Sequence, residues 1–195
     1  MKKIITREIK EKKETRNKVI VGSVLIILMI LSTIGYSFFS GGDEAQQKIE
    51  YKGVEFVLTD NSLWQFNIGG RVFQTQYNPV DTQNISVSVA RNLDSYSGKP
   101  LFFLGEDRGK QELARNLNSV VSRMQESCLE DYEEYCTEDS PLKDCEEDNI
   151  IIIEEIEKTE EIEIKQEENC IFISAPYQEQ IRAADAFLFK ILKID

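Results

Sequence analysis

The stretch PLFFLG (Pro100–Gly105), continued as EDRGKQELARNLNSVVSRMQESC (106–128), decides the fold. Leu101 to Leu104 are apolar without alternation, which is the pattern of a strand covered on both faces rather than one. After the loop Glu106 to Gly109, the residues Leu113, Leu117, Val120, Val121, Met124 and Cys128 recur at i, i+4, i+7, i+8, i+11 and i+15. That is one face of a helix, and it predicts a helix running on toward Cys128. A strand followed by a packed helix asks for a parallel partner strand. Asn149 to Ile153, NIIII, is the segment that supplies it.

Working outward, the residues before Pro100 change period. Val54, Phe56 and Leu58 alternate, as do Trp64, Phe66 and Ile68 beyond the turn residues Thr59 to Ser62. Gly69-Gly70 provides the positive φ angles of a two-residue hairpin leading into RVFQTQY, so an antiparallel meander of three strands is predicted. Asn78-Pro79 breaks it, and Ile85, Val87 and Val89 predict a fourth strand. Beyond residue 153, Ile162 and Ile164 alternate with charge as a half-exposed strand, and CIFIS from Cys170 reads as a buried one. Pro176 suits the first turn of a last helix, whose Ile181, Ala184, Phe187, Leu188 and Ile191 make one apolar stripe. The fold class expected is therefore α+β, or mixed α/β: an antiparallel meander, then two helices packed on a mixed sheet.

Toward the other end, Val19 to Phe39, VIVGSVLIILMILSTIGYSFF, has no charged residue in 21 positions. As a helix it would be about 31 Å long, close to the ~30 Å hydrocarbon thickness of a bilayer. Residues 1–18 hold eight cations and three anions; the rest of the chain holds 15 cations and 32 anions, net −17. Cations crowding one flank of an apolar run place that flank in the cytoplasm. Ser40-Gly41-Gly42 resembles a signal cleavage site, but the run exceeds the ~7–15 residues of a signal h-region, so an uncleaved single-pass signal anchor is expected. The expected organisation is a basic cytoplasmic tail (1–18), a transmembrane signal anchor (19–39), a polar linker (40–48) and an acidic extracytoplasmic domain (49–195).

The four cysteines, Cys128, Cys136, Cys145 and Cys170, all fall in the part assigned to the outside, where disulfides persist. They contain no C-x-x-C, which argues against a zinc ribbon or a thioredoxin-like motif. Four cysteines allow three pairings; the spacing favours Cys128 with Cys136, closing a short excursion, and Cys145 with Cys170, tying a loop to a strand. A tetrathiolate metal site is the alternative. The segment from Cys128 through Asp148 holds ten acids and a single base, Lys143, a self-repelling stretch that covalent ties would restrain.

Composition excludes further chemistry. With no His in 195 residues, Ser-His-Asp and Cys-His nucleophiles and His-containing zinc sites are impossible. Neither G-x-G-x-x-G nor a P-loop occurs, so no cofactor is expected. The loop carrying Asp107 and Arg108, and that carrying Ser174 and Tyr177, follow buried strands where α/β folds place ligands. Asp107 as a helix N-cap and Ser174 as a capping hydroxyl account for both loops without a ligand. Asp131, Glu133, Glu134, Glu138 and Asp139 are hard oxygen donors that could serve calcium, though no EF-hand loop is present. Asn84-Ile85-Ser86 is the one N-x-[ST] sequon and a glycosylation candidate on an external domain.

Net −17 repels phosphate, so nucleic acid is not an expected partner of the acidic domain; the basic tail suits the lipid bilayer. A binding or assembly module at the cell surface, with a protein partner, is the leading expectation. A membrane-tethered enzyme using Asp107, Arg108, Ser174 and Tyr177, or a calcium-dependent surface module, are the alternatives.

Overall fold

The computed structural model describes residues 18, 20–29, 47–136 and 139–194. The chain divides between Ala45 and Gln46 into two units. In the first, residues 20–29 form helix α1, whose apolar side chains from Ile20 to Met29 are largely exposed. Among the described residues no helix is long and apolar enough to cross a membrane. The rest of the 19–39 run lies outside the described residues, as do the basic tail up to residue 17 and linker residues 40–46.

The second unit is α+β. Its first part is a four-stranded antiparallel sheet in the order β1 (Lys48–Tyr51), β2 (Val54–Leu58), β3 (Trp64–Ile68) and β4 (Arg71–Thr75). The expected meander had three of these strands. Lys48, read as the end of a linker, opens the fourth, and Lys52-Gly53 turns it into β2 with both φ angles positive. Asn78-Pro79 is not a plain break: Asn78 and Asp81 form a capping box that starts the one-turn helix α2 (Pro79–Thr82).

The second sheet has six strands, β5 (Val87–Ser88), β6 (Pro100–Gly105), β7 (Arg123–Glu126), β8 (Ile150–Glu155), β9 (Glu163–Glu167) and β10 (Cys170–Ala175), in the order β5-β9-β10-β8-β6-β7. Its centre is parallel: β6 (Pro100–Gly105) pairs β8 (Ile150–Glu155), which pairs β10 (Cys170–Ala175). Strand β9 (Glu163–Glu167) runs antiparallel to β10, and β5 closes that edge with two residues, Val87–Ser88, instead of the longer strand expected over 85–89. Gly105 sits at φ +93° where β6 passes β8, and any Cβ there would run into the Ile153 carbonyl oxygen. Only glycine fits.

Helix α3 is Asp107–Leu117, shorter than predicted. The apolar period continues past Leu117, but the backbone leaves the helix at Asn118-Ser119, residues that compete with helical hydrogen bonding. The Val120 carbonyl accepts from Gly98 N, Ser122 N donates to the Lys99 carbonyl, and Arg123–Glu126 becomes β7, parallel to β6. Val121, whose N–H still donates to the Leu117 carbonyl, and Met124, already in β7, both pack against the core.

Helix α4 (Gln180–Ile191) buries almost every side chain rather than one stripe, because it has a sheet on either side. Phe187, Leu188 and Ile191 join the core with Ile151, Ile153, Ile171 and Ile173 of the mixed sheet. On the four-stranded sheet, Phe56 and Phe66 rings stand 5.9 and 5.8 Å from that of Phe189. Pro176 precedes a 3-10 turn, Tyr177–Glu179, that leads into α4.

Candidate functional site

Helices cover one face of the mixed sheet. Its other face presents Phe102, Leu104, Ile150, Ile152, Cys170 and Phe172, and the acid-rich excursion between β7 and β8 lies across it. Leu129, at the N-cap of the 3-10 segment Glu130–Tyr135, and Tyr132 and Tyr135 within it recur every third residue and pack against this second core. The Tyr132 ring stands 6.1 Å from that of Phe172, and Lys143 Nζ lies 4.4 Å from the centre of the Phe102 ring. The excursion is thus amphipathic, with its carboxylates outward: Glu130, Asp131, Glu133, Glu134, Glu146 and Glu147 are all exposed.

Covalent ties hold it. Cys128 and Cys136 form one disulfide, with Cα atoms 5.0 Å apart, and Cys145 and Cys170 the other, at 5.1 Å. The first closes the 3-10 excursion on itself. The second fastens its far end to β10, where Cys170 is fully buried. A bridge between Cys128 and Leu142 adds backbone hydrogen bonds to Pro141 and Lys143. At the sheet's other end Arg91 donates to Asn149 and Asn169, while Asn169 N and Nδ2 donate to the Cys145 and Glu146 carbonyls. These pins offset the repulsion among the carboxylates.

Burial, then the Glu154 carboxylate beside it, push the Tyr132 phenol up to about 12. Tyr135 is raised by burial and by Glu106, among other acids. Both phenols therefore stay protonated at neutral pH. Among the described residues no group of three or more His, Cys, Asp or Glu is placed to hold a metal ion; Glu138 lies outside them.

At the carboxyl ends of β6 and β10 the two loops singled out from sequence come together, as Arg108 stacks 4.8 Å from the centre of the Tyr177 ring. Neither capping role holds. Glu106 is the α3 N-cap position, and Asp107, one residue in, pairs with Lys110 at 2.5 Å. Ser174 is still in β10, where its hydroxyl donates to Glu154 Oε2 at 2.8 Å. Asn84 stands exposed on the turn after α2.

One titratable pair escaped the sequence reading. Glu112 of α3 and Asp185 of α4 meet in the core. Burial, then the facing Glu112, hold Asp185 well above the carboxylate range; burial also raises Glu112, against the pull of the Arg115 guanidinium. Tyr77 N donates to Asp185 Oδ2 at 2.9 Å, while the buried Oδ1 has no hydrogen-bond donor among the described residues. Two carboxyls so placed disfavour ionising together. Asp185 between Ala184 and Ala186, within the apolar stretch Ala183 to Phe189, was the available signal.

No family model, curated protein or solved structure matches this chain.

Proposed function

We propose that the chain is a single-pass membrane protein, held by the 19–39 run with residues 1–18 in the cytoplasm, whose α+β domain binds or assembles with a protein partner on the extracytoplasmic side. The observation that carries the reading is the pair of disulfides pinning the acidic excursion across the sheet. Disulfides point to an oxidising compartment, and the excursion they fix presents a rigid acidic surface where an untied segment would be loose. The exposed apolar side chains of α1, Ile20, Val21 and Val24 to Met29, add support, since a helix with so much apolar surface calls for a non-aqueous surrounding.

A fixed field of carboxylates recruits a partner with a basic surface, and does so faster at low ionic strength. Zero-length carbodiimide coupling on intact cells of the native host joins such carboxylates to lysines in direct contact. Reproducible coupling of Glu130, Asp131, Glu133 or Glu134 to lysines of a second protein, lost at high salt, is the expected result. Coupling confined to this chain's own lysines would count against the reading.

A further inference from the structure

We propose that Asn84 carries an N-linked glycan whose first sugars lie in the groove beside it; this rests on the extracytoplasmic placement proposed above. The motif alone would be weak, but three structural observations agree with it. Asn84 and Ser86 are both exposed on the turn that follows α2, while Ile85 between them packs against the core and fixes the turn. Arg182 Nη1 donates to Asn84 Oδ1 at 3.2 Å, so the carboxamide is oriented through its oxygen. Its Nδ2, the atom that would bear the sugar, makes no hydrogen bond among the described residues.

The third observation is the space next to it. A cavity of about 640 Å³ opens at Asn84, lined with hydrogen-bonding side chains, among them Ser86, Lys158, Gln178 and Arg182, together with the apolar Ile85 and Ile162. That volume falls in the range of small-ligand pockets. Hydroxyl-rich rings with apolar faces match such a lining of donors and acceptors over aliphatic carbon.

The chemistry balances without an oxidant. Nδ2 attacks the anomeric carbon of an oligosaccharide carried on a lipid phosphate or pyrophosphate. The C–N bond forms as the C–O bond to the phosphate breaks, and the amide proton leaves with the phosphate. The Ser86 hydroxyl completes the acceptor motif two residues on. A glycan here also stands at the foot of β5, the two-residue edge strand of the mixed sheet. Bulk at that point blocks strand addition by another chain.

The test uses the full chain purified from membranes of its native host. Trypsin releases residues 72–91, between Arg71 and Arg91, and mass spectrometry reads their mass together with the state of the four cysteines. Hexose or hexosamine increments localised to Asn84 are expected, abolished by Ser86→Ala and retained by Ser86→Thr. Unmodified peptide from chain whose cysteines are paired would overturn the glycan alone. Unmodified peptide from chain with free thiols would overturn the extracytoplasmic placement and the glycan with it.

Discussion

Breaking the Cys145–Cys170 disulfide by Cys145→Ala with Cys170→Ala releases the far end of the excursion from the sheet. Its closed loop spans 25 residues, against 8 for Cys128–Cys136. Loop-closure entropy then assigns about 3.5 kcal/mol to the longer tie and about 2.5 kcal/mol to the shorter. Alanine at 170 is the appropriate replacement because the site is fully buried and a serine hydroxyl would be stranded there. The assay is equilibrium urea denaturation followed by Trp64, the single tryptophan, which is buried in the first sheet and so reports on the whole unit rather than on the excursion. With m of roughly 1–3 kcal/mol/M, the midpoint of the Cys145/Cys170 variant falls by about 1.2–3.5 M. The Cys128→Ala/Cys136→Ala variant falls by less. A loss from the longer tie no greater than that from the shorter would refute the reasoning, since the entropy term orders them one way.

Three further outcomes follow from the core. For the Glu112–Asp185 pair the folded pKa is raised, so the stability it contributes is full below the ordinary carboxylate range and falls as pH rises through the raised value. Asp185→Asn keeps an acceptor for Tyr77 N, flattens that slope and stabilises the protein at pH 8 by about 1–3 kcal/mol, measured as denaturation midpoints from pH 4 to 8. Gly105→Ala costs about 2–4 kcal/mol through the Ile153 carbonyl and the positive φ, and thermal melting reads it. Asn116→Leu strips the free edge of β4, where Asn116 Nδ2 donates to the Gln74 carbonyl and Oδ1 accepts from Gln74 N, both at 2.8 Å. About 2–3 kcal/mol should be lost, with Gln74 amide exchange accelerated.

The mixed sheet was legible because its strands announce burial. LFFL, NIIII and CIFI lack alternation, which demands cover on both faces, and the two predicted helices supply it on one. What covers the second face was written in Leu129, Tyr132 and Tyr135, but a three-residue period inside ten acids reads as a loose loop until the sheet is seen beneath it. The cysteine spacings favoured the two pairs that the structure brings to disulfide distance, since a short excursion and a loop-to-strand tie are the geometrically economical choices. Helix α3 was overextended because Val121 and Met124 keep a helical period while reaching the core from a bend and a strand beyond the helix end. Strand β1 was missed because four residues hold too little alternation, although Gly53 marked its turn. The meeting of Glu112 with Asp185 has no local signature: the residues lie on different helices, and only tertiary packing makes them neighbours.

Central to the proposed function is the sidedness of the chain about its apolar run. Intact cells of the native host, treated with a membrane-impermeant amine reagent and digested for mass spectrometry, test it on one polypeptide. Label on the exposed Lys52, Lys158 and Lys193 with none on Lys2, Lys3, Lys10, Lys12 and Lys13 is predicted. Label on the lysines of residues 1–18 while Lys52, Lys158 and Lys193 stay unmodified until the cells are lysed would contradict it.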